Sequence, residues 1–585
     1  MDTGDVNQRS GIAPLFVRYS ACKLDMSEKQ KDSYKWTALS NTTLGVFMAA
    51  LDSSIVIISL PAIFRGIVLN PLEPSNIGFL LWTLMGYMMC TAVLVVTFGR
   101  LGDIYGRVRM YNAGFAIFTV ASVALSLTPG TGSSAAIYLI VMRVVQGIGG
   151  SFLMANAGAI LTDAFPSHQR GLAMGINNVA AIAGSFIGLI AGGLLADINW
   201  RLIFWINVPV GIFGTIWAYW KLREMAEHHV ESIDWWGNIT FGLGLVAVLL
   251  GITYGIQPYG GELMGWTSPT VLGLIIGGII LLGIFIAIER QVKAPMFHLD
   301  LFSIRAFTAG NIASLLAAIG RGGLQFMLVI WLQGIWLPLH GYSFDSTPLW
   351  AGIYMLPLTA GFLIAGPISG YFSDRFGAKY FATVGMLIGA GCFGALMLLP
   401  VDFTYWEFGM ILFFSGIGSG LFAAPNSTAI MNSVPARQRG QASGMRATFM
   451  NAGQVLSIGL FFSLMIFGLS TTLPQSLKSG LTAQNVPTAV AQQVAHEPPV
   501  SILFSAFLGY NPMQNLLPPQ TLASIPSQNA ATLSSTDFFP SLISSPFKAG
   551  LVVTFILSMI AYLIAAAASW LRGGRYIHEE QHAVA

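Results

Sequence analysis

Gly99-Arg-Leu-Gly-Asp103-Ile-Tyr-Gly106 returns later in the chain as Gly370-Tyr-Phe-Ser-Asp374-Arg-Phe-Gly377, displaced by 271 positions (374 − 103 = 271), and both copies lie between long apolar stretches. Two further pairs repeat at nearly the same distance. Gly147-Ile-Gly149 matches Gly416-Ile-Gly418 (416 − 147 = 269), and Pro166-Ser-His-Gln169-Arg170-Gly171 matches Pro435-Ala-Arg-Gln438-Arg439-Gly440 (435 − 166 = 269). Repeats of this kind are settled first because they decide how every other residue is read. Two related membrane halves imply a pseudo-symmetric protein with a site at the repeat interface, the architecture of secondary transporters.

Composition agrees with a membrane environment. The chain is 54% hydrophobic and 9% charged, where a soluble domain carries about 25% charged residues. Its mean hydropathy is +0.68. Stretches near the roughly 20 residues needed to cross a bilayer number about fourteen. The polar start has no cleavage pattern and reads as a tail rather than a signal peptide. The expected division is a tail over 1–36, six helices over 37–220, two inserted helices with flanking loops over 221–305, six helices over 306–571, and a second tail over 572–585. The fold class is all-α and polytopic. A long external loop is expected over 470–545; its apolar piece, 500–508, is too short to span and reads as an interfacial or capping element or as part of a disordered loop.

Lys and Arg set the orientation. With both ends cytoplasmic, Arg100, Arg107, Arg109, Arg170, Lys221, Arg223, Arg290, Lys293, Arg305, Arg375, Lys379 and Arg439 fall on the inner side. Arg65, Arg201, Lys478 and Lys548 fall near the outer one.

In this order the motifs resemble those of the major facilitator superfamily, specifically its fourteen-helix drug:proton antiporter family. Gly99 to Arg109 is similar to the superfamily's motif A between helices 2 and 3. Arg143-Val-Val-Gln146-Gly147-Ile-Gly149 resembles motif B in helix 4. Leu51-Asp52-Ser-Ser-Ile-Val-Ile-Ile-Ser-Leu60-Pro61 resembles the helix 1 motif of the fourteen-helix branch. Asn199-Trp200-Arg201-Leu-Ile-Phe204-Trp-Ile-Asn207-Val-Pro209-Val-Gly211 resembles its helix 6 signature. The resemblance implies two pseudo-symmetric six-helix bundles plus two inserted helices. It also implies proton-coupled efflux of amphiphilic small molecules or drugs from the plasma membrane, by a monomer without a cofactor. The implied partners are a small-molecule substrate, protons and the lipid bilayer, with no nucleic acid. Export of one specific metabolite or lipid-like compound, or a transport-silent sensor on the same scaffold, is the alternative. Two departures stand out: Leu189 replaces the proline expected in the helix 5 motif around Gly184, Gly188, Gly192 and Gly193, and Ile57 replaces an asparagine expected in helix 1.

Charges deep in a bilayer cost about 2.5–3.5 kcal/mol each even on insertion scales and are functional candidates by default. Asp52, Arg143 and Arg321 are those candidates, with Gln146 beside them. At ~1.5 Å of rise per residue, all three charges lie at middle to outer depth and are expected to share one cavity. A shift of 269 carries Asp52 onto Arg321, so the two are expected to face each other across it. A carboxylate that exchanges protons must be desolvated in one state and paired in another. The alternative for Asp52 is a permanent ion pair that only fixes packing. Two arginines against one aspartate fit a neutral, zwitterionic or anionic amphiphile better than a lipophilic cation. Gly99, Asp103, Gly106, Arg107, Arg109, Asp163, Arg170 and Asp374 are expected to form a latch that holds inner helix ends together, with Asp374 and Lys379 its weaker copy. Trp82, Tyr87, Phe326, Trp331 and Tyr354 are candidates for stacking on an apolar substrate, with lipid contact or core packing as the alternative.

Other classes find little support. The chain lacks a Gly-Lys dipeptide and therefore a P-loop. His168, His228, His229 and His298 sit near inner loops without ligand-like spacing, and the scattered Cys22, Cys90 and Cys392 suit neither a metal nor a disulfide framework. No enzyme is expected.

Overall fold

The computed structural model describes residues 28–166, 169–225, 234–262, 264–293, 295–435, 438–509 and 511–573. Cys22, His168, His228 and His229 lie outside the described residues, as do most of both tails and the side chains of Arg170 and Asp374.

Among the described residues fourteen helices are long and apolar enough to cross a membrane: α1 Ser33–Gly66, α2 Asn76–Tyr105, α3 Arg107–Ser126, α4 Gly132–Ala164, α5 Ala173–Ile198, α6 Leu202–Lys221, α7 Trp235–Gly255, α8 Pro269–Glu289, α9 Arg305–Leu339, α10 Thr347–Ser373, α11 Ala378–Leu398, α12 Tyr405–Asn432, α13 Gln441–Ala483 and α14 Phe538–Leu571. Prolines inside α1, α12, α13 and α14 do not end these helices, because packed neighbours satisfy the freed backbone groups.

The pairing of helices repeats. In the first half α1 packs on α5, and α4 packs on both α2 and α3; eight helices later α9 packs on α13, and α12 packs on both α10 and α11. The shift of eight is six plus the inserted pair α7 and α8, which pack mainly on each other. That pair is docked by polar contacts at the basic end: Arg100 donates to the Pro295 carbonyl, and Thr97 donates to Asn238. The two copies of the decisive motif end alike. Gly106 has φ +107° and Gly377 has φ +85°, a region where a side chain is strained, so each turn between consecutive helices needs glycine.

The halves meet along α2 against α13 and along α5 against α10. At the end opposite the basic loops they are sealed. The Gln333 amide donates to the Ile58 carbonyl at 3.1 Å. A Cβ on Gly352 would lie 2.8 Å from the Leu189 carbonyl oxygen, and one on Gly193 would overlap the Leu349 backbone. Arg65 pairs with Asp345 at 3.3 Å, with the two side chains 35% and 77% exposed. A pair this wet is worth less than about 1 kcal/mol, so Arg65→Ala is expected to leave the thermal unfolding midpoint nearly unchanged.

The expected loop over 470–545 is shorter than the hydropathy suggests. α13 continues to Ala483 and α14 starts at Phe538. At ~1.5 Å per residue α13 is ~65 Å long, about twice the hydrocarbon core of a bilayer. Hydropathy registers lipid, whereas this extension is held by Leu473, Leu477 and Leu481, buried one turn apart. Among its described residues the loop that remains carries five short helices. One of them, Pro499–Phe507, is buried at every residue. It packs between α2 of the first half and α9, α13 and α14 of the second, with Phe507 edge-on to Phe326 and Phe504 stacked on Phe462. The apolar piece is thus an internal cap at the sealed end, bound to both halves.

Candidate functional site

Asp52 lies on α1 with no exposed surface, and Arg143 on α4 is 1% exposed. The Arg143 Nη1 donates to Asp52 Oδ2 at 2.5 Å and to Gln146 Oε1 at 2.5 Å. The other carboxylate oxygen, Oδ1, accepts from Gln146 Nε2 at 2.9 Å and from Asn207 Nδ2 at 2.7 Å. Gln146 also donates to Ser122 on α3 at 2.9 Å, and Arg143 Nε donates to the Thr83 carbonyl on α2 at 3.3 Å. The guanidinium lies 4.5 Å over the ring of Tyr87, a cation–π contact. One aspartate therefore ties together α1, α2, α3, α4 and α6.

Small residues build this cluster. On α5, a Cβ at Gly184 would overlap the Phe47 carbonyl, one at Gly188 would lie 2.5 Å from the Leu51 carbonyl oxygen, and one at Gly192 would overlap Ile58. These three glycines let α1 approach α5 backbone to backbone, the usual device of membrane helices. Gly193 points the other way, onto α10. α5 runs unbroken through Leu189. On α4, Gly147 and Gly150 make room for Tyr87. α6 is interrupted at Ile206, and Asn207 opens its second segment, which brings the amide to Asp52.

A buried ion pair is tolerable only when its remaining donors and acceptors are satisfied. Here the carboxylate accepts three bonds, which suits its ionised form. A proton on either oxygen would set an O–H against donors already in place.

Arg321 is not part of this cluster. Asp52 and Arg143 pack inside the first half, whereas Arg321 lines a cavity of the second half together with Ser314, Asn426, Arg446 and Tyr562. Corresponding places in two repeats each lie within their own half, so matching register alone does not bring two side chains into one cavity. The expected shared cavity is thus corrected to a buried cluster in one half and an open, basic cavity in the other.

At the basic end, Arg107 bridges Asp103 (Nε–Oδ1 2.8 Å) and Asp163 (Nη1–Oδ1 2.6 Å). These latch candidates join α2, α3 and α4 within one half. Gly99 has open space at its Cα, while a Cβ on Gly106 would lie 2.6 Å from Glu224 Oε2. Glu224 was not anticipated: it accepts from the backbone N–H of Arg107 at 2.9 Å and of Val108 at 3.0 Å, placing a carboxylate at the N-terminus of α3. Such a charge is worth about 0.3–1 kcal/mol. Glu224→Gln is expected to lower stability by that amount, measured by thermal unfolding, with the difference shrinking at high salt. In the second half Lys379 lies 3.9 Å over the ring of Trp570.

Of the aromatic candidates, Tyr87 joins the Asp52 cluster. Phe326 and Trp331 are each 1% exposed and pack on Phe462, Phe507, Phe403 and Phe408. Tyr354 belongs to a cluster with Trp336, Tyr342, Trp350 and Tyr405. None of these, nor Trp82, lines the second-half cavity. Asn207 carries no charge, so no desolvation cost marks it out in the sequence. Arg446 stands so near the basic end of α13 that it reads as an interfacial residue.

Comparison with known proteins agrees with this architecture. Residues 42–458 match the family model described as Major Facilitator Superfamily. The tetracenomycin C resistance and export protein of Streptomyces glaucescens is 28% identical over 91% of this chain and 90% of its own length. The multidrug transporter protein MdtP of Bacillus subtilis is 26% identical over 90% and 93%. The riboflavin transporter RibZ of Clostridioides difficile is 28% identical over 77% and 92%. Among solved structures, an inward-facing, occupied bacterial homolog of the human lysosomal transporter Spinster superposes with a TM-score of 0.55 at 15% identity, covering 92% of this chain and 97% of that one. The chain is a multi-pass membrane transporter, not an enzyme, and it belongs to the Major Facilitator Superfamily, with the fourteen spans of that superfamily's drug:proton antiporter family.

Proposed function

We propose that this transporter exports amphiphilic small molecules across a plasma membrane, with both termini cytoplasmic, and that proton entry through Asp52 drives it. One observation carries the reading: a fully buried carboxylate, ion-paired to Arg143, at the centre of a hydrogen-bond network that Arg143 and Gln146 extend to five helices. Apolar residues in place of a buried ion pair are often neutral or stabilising, so a pair kept at this depth suits a role beyond packing.

The sealed end is the outer one under the positive-inside rule, so this arrangement is the inward-facing state, with Asp52 ionised. In the outward-facing state Asp52 parts from Arg143, takes a proton from outside, and releases it inward when the pair re-forms. Asp103, Arg107, Arg109, Asp163, Arg170 and Asp374 lie where the inner helix ends would close in that outward state. The names of two relatives, an antibiotic export protein and a multidrug transporter, favour export.

The test uses purified protein in liposomes, with cationic, neutral and acidic aromatic dyes as probes. A pH gradient should drive dye accumulation, and an ionophore that collapses the gradient should abolish it. Equal rates with and without the gradient would instead indicate a uniporter, and no movement of any dye a sensor.

A further inference from the structure

The second-half cavity is partly open and holds about 60 Å³ in this arrangement. Two guanidinium groups, Arg321 from α9 and Arg446 from α13, line it, and no carboxylate does. Among the described residues neither arginine makes an ion pair with an acid. The Nε of Arg446 is buried without a hydrogen-bond partner. A third arginine stands behind the wall: Arg572, 4% exposed, donates to the Oδ1 of Asn426 and leaves Nε and Nη1 without partners. Asn426 in turn donates to Ser314 at 2.8 Å. Met386, Phe422 and Met450 supply apolar surface to the lining, beside the neutral polar side chains of Ser419, Gln454 and Tyr562. At the corresponding place in the first half, 269 residues before Arg446, stands Asn177.

Arg321 is exposed to the cavity and Arg446 is half-buried; an arginine without a counter-ion on a membrane-spanning helix is costly, and its planar donor fork matches a carboxylate, sulfonate or phosphate in bidentate fashion. We infer that this cavity binds an amphiphile through an acidic group held between Arg321 and Arg446, with its apolar body against Met386, Phe422 and Met450. The inference rests on the export reading and narrows it: the exported class carries an acid. Proton and substrate then act in different halves, the proton on Asp52 and the anion on Arg321 and Arg446.

Naphthaleneacetate and naphthaleneacetamide differ only in charge, and their binding to purified full-length protein in phosphatidylcholine nanodiscs is read by calorimetry. The acid is expected to bind about tenfold more tightly, an amount typical of one charge-assisted contact. Arg446→Gln and Arg321→Gln should each remove that preference while keeping the amide's affinity, and Arg446→Lys should retain part of it. Equal binding of acid and amide, or variants that weaken both alike, overturns the inference. So does tighter binding of the naphthylmethyl-trimethylammonium cation. An anionic lipid headgroup shares this chemistry: if phosphatidylglycerol in the nanodisc displaces the acid, the cradle belongs to lipid and the substrate assignment falls. Asp52→Asn separates the two readings, because it should stop gradient-driven transport yet leave the acid-to-amide ratio unchanged. Loss of acid preference with coupling intact sinks the cradle alone, whereas acid preference without proton-driven transport sinks the export mechanism alone.

Discussion

Asp52→Asn is expected to reduce gradient-driven accumulation to the level of empty liposomes. Asparagine fills the same space and still accepts from Gln146 and Asn207, but it has no charge to gain or lose. The substitution also strands Arg143, 1% exposed, without its counter-ion. Breaking a buried pair from one side costs about 3–5 kcal/mol, so a fall in stability is expected as well. The double variant Asp52→Asn with Arg143→Gln separates the two effects. Removing both charges should recover much of the lost stability, since the pair is a coupled unit, while proton-driven transport stays absent. If the double variant recovered transport together with stability, the pair would be structural only.

The second large effect falls on packing. Gly188→Ala places a methyl group 2.5 Å from the Leu51 carbonyl oxygen and 3.1 Å from Ser54 Cβ. Neither is the free end of a flexible side chain, so α1 itself must move, and with it Asp52. Overpacking of this kind costs about 1–3 kcal/mol; Gly188→Leu should prevent recovery of monodisperse protein. Gly175 on the same helix has nothing within 4 Å of a built Cβ. Gly175→Ala should therefore be neutral or stabilising by up to about 1 kcal/mol, the helix preference for alanine. Thermal midpoints in detergent compare the two, and equal effects would mean that the α1–α5 approach does not depend on glycine.

Much of the fold was legible because a bilayer leaves few options. A long apolar run without charge has to be a helix, and the repeated motif fixed how the helices pair. The neighbours of Asp52 were legible for a related reason: lone charges at that depth are expensive, and Arg143 was the charge able to meet it. Arg321 shows where this logic fails. Its register matched Asp52, but the two halves turn those faces toward different surroundings, which only packing decides. Arg446 was missed because nearness to a helix end looks inexpensive, although the end here borders a cavity. Asn207 and Glu224 were missed because an amide and a loop carboxylate carry no strong signal until a partner is seen. The cap helix Pro499–Phe507 was half legible: its apolar run was plain, but its burial depends on α13 and α14 extending beyond the membrane.

The central claim is that Asp52 takes up and gives off the transported proton, and proton exchange on substrate binding tests it most directly. Protein in weakly buffered detergent solution containing a pH indicator is mixed with a transported dye near the midpoint of its binding. The account predicts that wild type exchanges about one proton per dye bound and that Asp52→Asn exchanges none while still binding the dye. Equal proton exchange by the two proteins would contradict it and move the coupling site elsewhere.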